Sequence, residues 1–141
     1  MQKTGFKNID NFDPRQCING RVSRAQRIIS NVFRKYIKPF GITSSQLSML
    51  FVLTKRGVVS QRDLSNILYL EKSSVSRNKR RLVSQGWVQN EGLNLTMTKK
   101  GFMFIDKVIP EWEKAMLEIK ETLGEDGQNG LSTVLSNLTL K

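Results

Sequence analysis

The stretch from Ser60 to Gly86, SQRDLSNILYLEKSSVSRNKRRLVSQG, leaves the fewest options open for the chain around it. Ser60 has the chemistry of a helix cap, with Asp63 in the next turn. Leu64, Ile67 and Leu68 then recur at helical spacing, and Tyr69-Leu70-Glu71 breaks the period before a second one begins at Lys72 or Ser73. This pattern predicts two short helices joined by a tight turn. The second offers Val75, Leu82 and Val83 to a core and is otherwise polar, so the rest of the chain must hold it.

The polar side has a specific chemistry. Ser73, Ser74 and Ser76 sit near the helix N-terminus, where short hydroxyls donate or accept at base edges and phosphates and free backbone amides favour anions. Arg77, one turn on, has the reach for guanine O6 and N7, whereas Lys79, Arg80 and Arg81 suit phosphate. A charge run of this kind also fits a solvated surface helix. The residues on either side of it weigh against that: Trp87-Val88-Gln89 and Leu93-Asn94-Leu95 read as strands about an Asn90-Glu91-Gly92 turn, with Val58-Val59 as a short strand upstream. A helix-turn-helix succeeded by a hairpin is a winged helix.

The flanks read as helices. Residues 1–12 lack a period and are expected to form an arm or frayed entry, and Asp13-Pro14 is expected to start a long helix. Along it Ile18, Val22, Ala25, Ile29, Val32 and Tyr36 form an apolar stripe, opposed by Arg15, Arg21, Arg24, Arg27, Arg34, Lys35 and Lys38, until Pro39 and Gly41 end it. Thr43 and Gln46 have capping-box spacing for a helix ending near Lys55-Arg56-Gly57. Thr98 caps a last long helix with a stripe at Phe102, Ile105, Ile109, Trp112, Met116, Ile119 and Leu123. A kink is expected at Pro110, a break at Gly124 and EDGQNG, and a short final helix carrying Leu131, Val134, Leu135 and Leu138. The fold class is mainly α with a small β-hairpin, in one domain over 1–141. A winged helix-turn-helix lobe at about 43–97 is flanked by helices at about 13–38 and 98–140.

Charge narrows the partners. The net of +11 is uneven, with residues 1–104 at +14 and 105–141 at −3, so one lobe should face a polyanion. Absence of His and a single Cys17 remove the side chains for a zinc site, a disulfide framework or nucleophile–His catalysis. No cofactor and no enzyme are expected. The chain has no apolar run approaching the roughly 18 residues of a membrane span and no signal-peptide core at its N-terminus, so a cytoplasmic protein without membrane contact is expected.

The order of these elements, the SSVSR stretch, Leu82 with GWV after it, and LTMTKKG opening a long helix resemble the MarR family of bacterial transcription regulators, over about residues 13–140. The resemblance implies a homodimeric repressor or activator on pseudo-palindromic double-stranded DNA. Ser73, Ser74, Ser76 and Arg77 then fall at base-reading positions, and Ser60, Gln61, Lys72 and Arg80 at backbone positions, with Lys79, Arg81, Lys99 and Lys100 as further phosphate candidates. Two features depart from the family pattern. NEGLN is a short wing without the family's Arg, and Tyr69 stands where Gly is common, so a positive φ there would be strained.

A basic lobe presented twice at fixed spacing needs a two-fold core. Ile18 and Val22 of the first long helix, the Phe102–Leu123 stripe (Phe102, Ile105, Ile109, Trp112, Met116, Ile119 and Leu123), and Leu131, Leu135 and Leu138 are the dimerisation candidates. The resemblance further implies a pocket for a small aromatic effector, for which Tyr36, Phe51 and Trp112 are candidates, and an oxidant-sensing role for Cys17, alongside the plainer reading of all four as core. Two other functions compete with the sequence-specific regulator: an architectural DNA-binding protein with weak sequence preference, and a winged-helix protein-interaction module.

Overall fold

The computed structural model describes residues 2–140. Its N-terminal segment is more ordered than the sequence pattern predicts. A short helix α1 (Lys7–Asn11) replaces the expected arm, because the Asp10 carboxylate accepts hydrogen bonds from the Thr4 and Gly5 amides at 2.9 and 3.1 Å and from the Thr4 hydroxyl at 3.0 Å. These bonds, the Thr4 amide's first, hold the Asp10 carboxyl below its ordinary range. Asp13 caps a 3₁₀ turn, Pro14–Gln16, not the long helix itself. Helix α2 (Ile18–Ile37) starts one turn later, with the Cys17 sulfur accepting from the Gly20 amide at 3.4 Å.

Local punctuation then works as the sequence dictates. A second 3₁₀ turn, Lys38–Phe40, stops α2, and Gly41 adopts φ 66° to reverse the chain. Thr43 and Gln46 close a full capping box on α3 (Ser44–Arg56), satisfying two otherwise free amides. Strand β1 (Val59–Ser60) leads directly into α4 (Gln61–Leu68), capped by Ser60, and α5 (Lys72–Ser84) comes next.

The wing comprises β2 (Val88–Glu91) and β3 (Asn94–Met97), and β1 completes an antiparallel sheet in the order β1-β3-β2. Its turn lies further along than expected. Glu91 pairs with Asn94, which leaves Gly92-Leu93 as a two-residue loop, and only Gly92 has positive φ, as a type II′ turn requires. The pairing of Val88 with Met97 on one side and Val59 with Leu95 on the other sets this register.

Helix α6 (Lys99–Thr139) starts at Thr98, whose hydroxyl accepts from the Gly101 amide. The expected break is found at Gly124, where the backbone is non-helical with φ 67° and ψ −178°, and the helix continues on both sides of Pro110. One expectation about it is corrected. EDGQNG is helical, because that one glycine makes the turn and the Gln128 side chain bridges it, donating to the Gly124 and Lys120 carbonyls at 3.1 and 3.4 Å.

The core sits between α3, α4, α5, the sheet and the first half of α6, with Met49, Leu50, Leu53, Leu64, Val75, Leu82, Leu95 and Val108 fully enclosed. Several members of the dimerisation set also pack within the protomer. Ile105 is 3% exposed and Ile119 is buried, while Ile109 and Trp112 pack against the same core and Met116 and Leu123 are half-buried within the protomer. Ala115 and Val108, outside the expected stripe, are its most deeply buried neighbours. The reason is geometric: α2 lies along α6, so the inner half of the stripe is consumed at home. Ile18, Val22, Phe102, Leu131, Leu135 and Leu138 remain exposed.

Gly101 is required by close approach, since a Cβ there would overlap the Trp87 carbonyl oxygen and press on Met97. The Gly101→Ala variant is expected to lose on the order of 3 kcal/mol of unfolding free energy, to be checked by urea denaturation of the purified protein.

Candidate nucleic-acid interface

The turn between α4 and α5 is fastened from inside. The Ser65 hydroxyl donates to the Leu70 carbonyl at 2.5 Å, and the Leu70 amide donates back to the Ser65 carbonyl at 3.2 Å. Tyr69 between them takes the left-handed conformation, φ 53° and ψ 37°. The positive φ anticipated at this position is therefore real. Beyond the turn, Val75 and Leu82 anchor α5 with no exposed surface, and Asn78 accepts from the buried Gln46 side chain at 3.4 Å. The Gln46 amide thus serves both the α3 cap and the reading helix.

What α5 presents outward is polar and largely free. Its N-cap, Glu71, makes no side-chain bond to the helix, so the first amides stay available. Ser73 and Arg77 are exposed, Ser74 and Ser76 half-buried, and the Arg77 Nη2 lies 3.4 Å from the Ser74 hydroxyl. Lys72, Arg80 and Arg81 are exposed and Lys79 half-buried. Among the described residues no carboxylate pairs with any of these five cations. A surface of that kind is stabilised by an external anion.

The backbone candidates divide. Ser60 spends its acceptor on the Asp63 amide at 3.0 Å and keeps its O–H to donate, and Gln61 stands beside it in the first turn of α4. Lys99 and Lys100 are exposed at the start of α6, and the Lys100 chain passes over Gly86. The wing adds no cation: Asn90, Glu91, Gly92, Leu93 and Asn94 form its end, with Leu93 exposed at the tip.

Of the effector candidates, Phe51 and Trp112 meet edge to face at 5.5 Å, and the Tyr36 hydroxyl donates to Glu118 at 2.9 Å. A cavity of about 350 Å³ lies elsewhere, between α2 and the start of α3, with Phe33, Ile37, Ile42 and Leu47 as its apolar walls and Arg34 and Lys38 at its polar side. Neither helix alone carries the signal for it, because the two sides meet only through the Gly41 reversal. Cys17 is exposed, but the Arg15 guanidinium beside it is held by Asp13 through two contacts of 2.9 Å. Among the described residues no group of His, Cys, Asp or Glu is arranged to hold a metal ion, and no helix is long and apolar enough to cross a membrane.

Comparison with known proteins agrees with this geometry. Residues 40–92, from the end of the second 3₁₀ turn to the first residue of the wing turn, match the model of the MarR family. The uncharacterized HTH-type transcriptional regulator YwoH of Bacillus subtilis is 33% identical over 69 residues, covering 49% of this chain; the match spans only half of that relative's length. The HTH-type transcriptional regulator PecS of Dickeya dadantii is 23% identical over 129 residues, covering 84% of this chain and 78% of PecS. A mutant MarR from E. coli complexed with operator DNA superposes with a TM-score of 0.79 at 19% identity, over 92% of this chain and 98% of that one. The fold is that of MarR winged-helix regulators.

Ser65 carries no signal in the sequence, since nothing in its spacing distinguishes it from other polar residues of α4. Replacing it by Ala removes the only side-chain bond to the Leu70 carbonyl among the described residues. The expected cost is about 1–2 kcal/mol of stability, with faster amide exchange confined to the α4–α5 turn by hydrogen–deuterium exchange.

Proposed function

We infer, from a winged-helix fold and a match of residues 40–92 to the MarR family model, that the protein is a sequence-specific transcriptional regulator acting as a homodimer on a pseudo-palindromic operator. The observation that carries this reading is the first turn and a half of α5: hydroxyls at Ser73, Ser74 and Ser76 and an unpaired Arg77, on a helix pinned by Val75 and Leu82. A rigid helix with short donors and one long bidentate donor near its N-terminus reads base edges in the major groove. Lys72, Lys79, Arg80 and Arg81, with Ser60, Gln61, Lys99 and Lys100, supply phosphate contacts that fix its register. Binding of this kind represses when the operator overlaps a promoter.

Dimerisation is supported by the apolar residues the protomer leaves uncovered: Ile18 and Val22 on α2, Phe102 on α6, and Leu131, Leu135 and Leu138 beyond Gly124. A second copy covering them would present two reading helices about 34 Å apart, one turn of DNA. The cavity between α2 and α3 has the size and the mixed apolar and cationic lining of a site for a small aromatic acid, and its walls adjoin the reading lobe. An effector there would act on the setting of α3, to which α5 is tied through Gln46 and Asn78.

One observation favours a second reading, architectural DNA binding: the wing lacks a basic residue while Arg21, Arg24 and Arg27 of α2 are exposed. Selection of bound duplexes from a random pool at physiological salt separates the two. A palindromic consensus is expected, and no enrichment would refute sequence-specific reading. On the selected duplex, Arg77→Ala should weaken binding by about 1–3 kcal/mol and relax preference at one position of each half-site. The double variant Leu135→Glu/Leu138→Glu should run as a monomer in sedimentation while keeping its helical circular dichroism, and should lose cooperative operator binding.

A further inference from the structure

We propose that Tyr69 is a DNA-contacting residue, its phenol donating a hydrogen bond to a phosphate oxygen of the strand bordering the groove that α5 enters. The inference rests on the DNA-binding reading above and adds a contact from the turn to those of the helix.

Tyr69 is the one non-glycine residue with positive φ among those described. For an L residue that conformation costs on the order of 1–2 kcal/mol, and a glycine would remove the steric part of it. The backbone bonds that close the turn on Ser65 would form equally well with glycine, so they do not account for a tyrosine here. Tyr69 is 80% exposed, whereas its neighbour Leu70 is tucked inward and held by Ser65. The other tyrosine, Tyr36, spends its hydroxyl on Glu118; the Tyr69 hydroxyl has no protein partner among the described residues. A strained backbone that projects an unpacked aromatic donor marks a site where the compensating contact comes from outside.

The position identifies that contact. Tyr69 ends α4, two residues before the N-cap Glu71 and three before Lys72. In a helix-turn-helix the first helix crosses the sugar–phosphate backbone while the N-terminal residues of the second meet base edges, so the turn between them borders the backbone. A phenol there reaches phosphate, and its ring can lie against the adjoining sugar. The turn's left-handed geometry aims the side chain out of the protein, away from Leu64 and Leu68 of the same helix.

Tyr69→Phe and Tyr69→Gly in the full chain test this by fluorescence anisotropy on the duplex selected by the wild type. Both should bind about three- to tenfold more weakly. The slope of log affinity against log salt should be unchanged, because a neutral donor releases no counterion. Melting temperature should hold for Tyr69→Phe and hold or rise for Tyr69→Gly. Wild-type affinity for Tyr69→Phe overturns the proposal while leaving the regulator reading intact. Failure of the wild type to select any duplex overturns both.

Discussion

The winged-helix lobe depends on how the base of its wing is closed. Thr98 does most of this: its amide donates to the Trp87 carbonyl at 3.0 Å, its hydroxyl donates to the Gly86 carbonyl at 2.6 Å, and the same oxygen accepts from the Gly101 amide. The Trp87 amide in turn donates to the Leu82 carbonyl at 3.1 Å, and its ring stacks on Phe104 at 3.9 Å. The end of α5, both wing strands and the start of α6 thus meet around two consecutive peptide groups. Only a residue without Cβ fits at 101, where the helix backbone approaches the Trp87 carbonyl. Helix α5, mounted this way, cannot rotate without breaking these bonds.

A second fastening joins the two long helices to each other. Glu118 on α6 accepts from the Lys35 ammonium at 2.7 Å and the Tyr36 hydroxyl at 2.9 Å on α2. The Lys35 contact first, then the Tyr36 bond, holds the Glu118 carboxyl below its ordinary range. A depressed carboxyl adds stability above its unfolded pKa and loses it as pH falls through the folded one, so this link weakens only in acid. Lys35 is more than half exposed, which keeps the contribution modest beside the buried core. Its value is directional: it keeps α2 in register along α6, and that register decides which apolar residues remain uncovered.

Much of this was legible in the chain, for local reasons. The Thr43–Gln46 box and the caps at Ser60 and Thr98 are contacts between residues three apart, and spacing alone reports them. The same holds for the polar first turn of α5, because Val75 and Leu82 fix which side is buried. Contacts that close through irregular backbone were not legible. Helix α1 exists because Asp10 folds back on Thr4 and Gly5, with no apolar period to betray it. The wing turn moved to Gly92-Leu93 because strand pairing, not turn chemistry, sets its register. Ser65, and the reach of Gln46 to Asn78, show nothing until the turn and α5 are brought against them.

The sequence by itself determined a winged helix whose α5 carries a basic, hydroxyl-lined face, since caps, turns and helical periods act within a few residues of chain. It also determined that α6 would be apolar along one side. Tertiary structure alone decided how that side is divided. Ile105, Val108 and Ala115 are enclosed by the protomer, while Phe102, Leu135 and Leu138 are left to the outside. A stripe at helical spacing is wider than one neighbour can cover, and which sector meets α2 and the core depends on where the helices cross. That crossing is held by the Thr98–Trp87 closure at one end of α6, the Glu118 contacts to α2 and the Gly124 bend further along, none of which is visible in the spacing of the stripe.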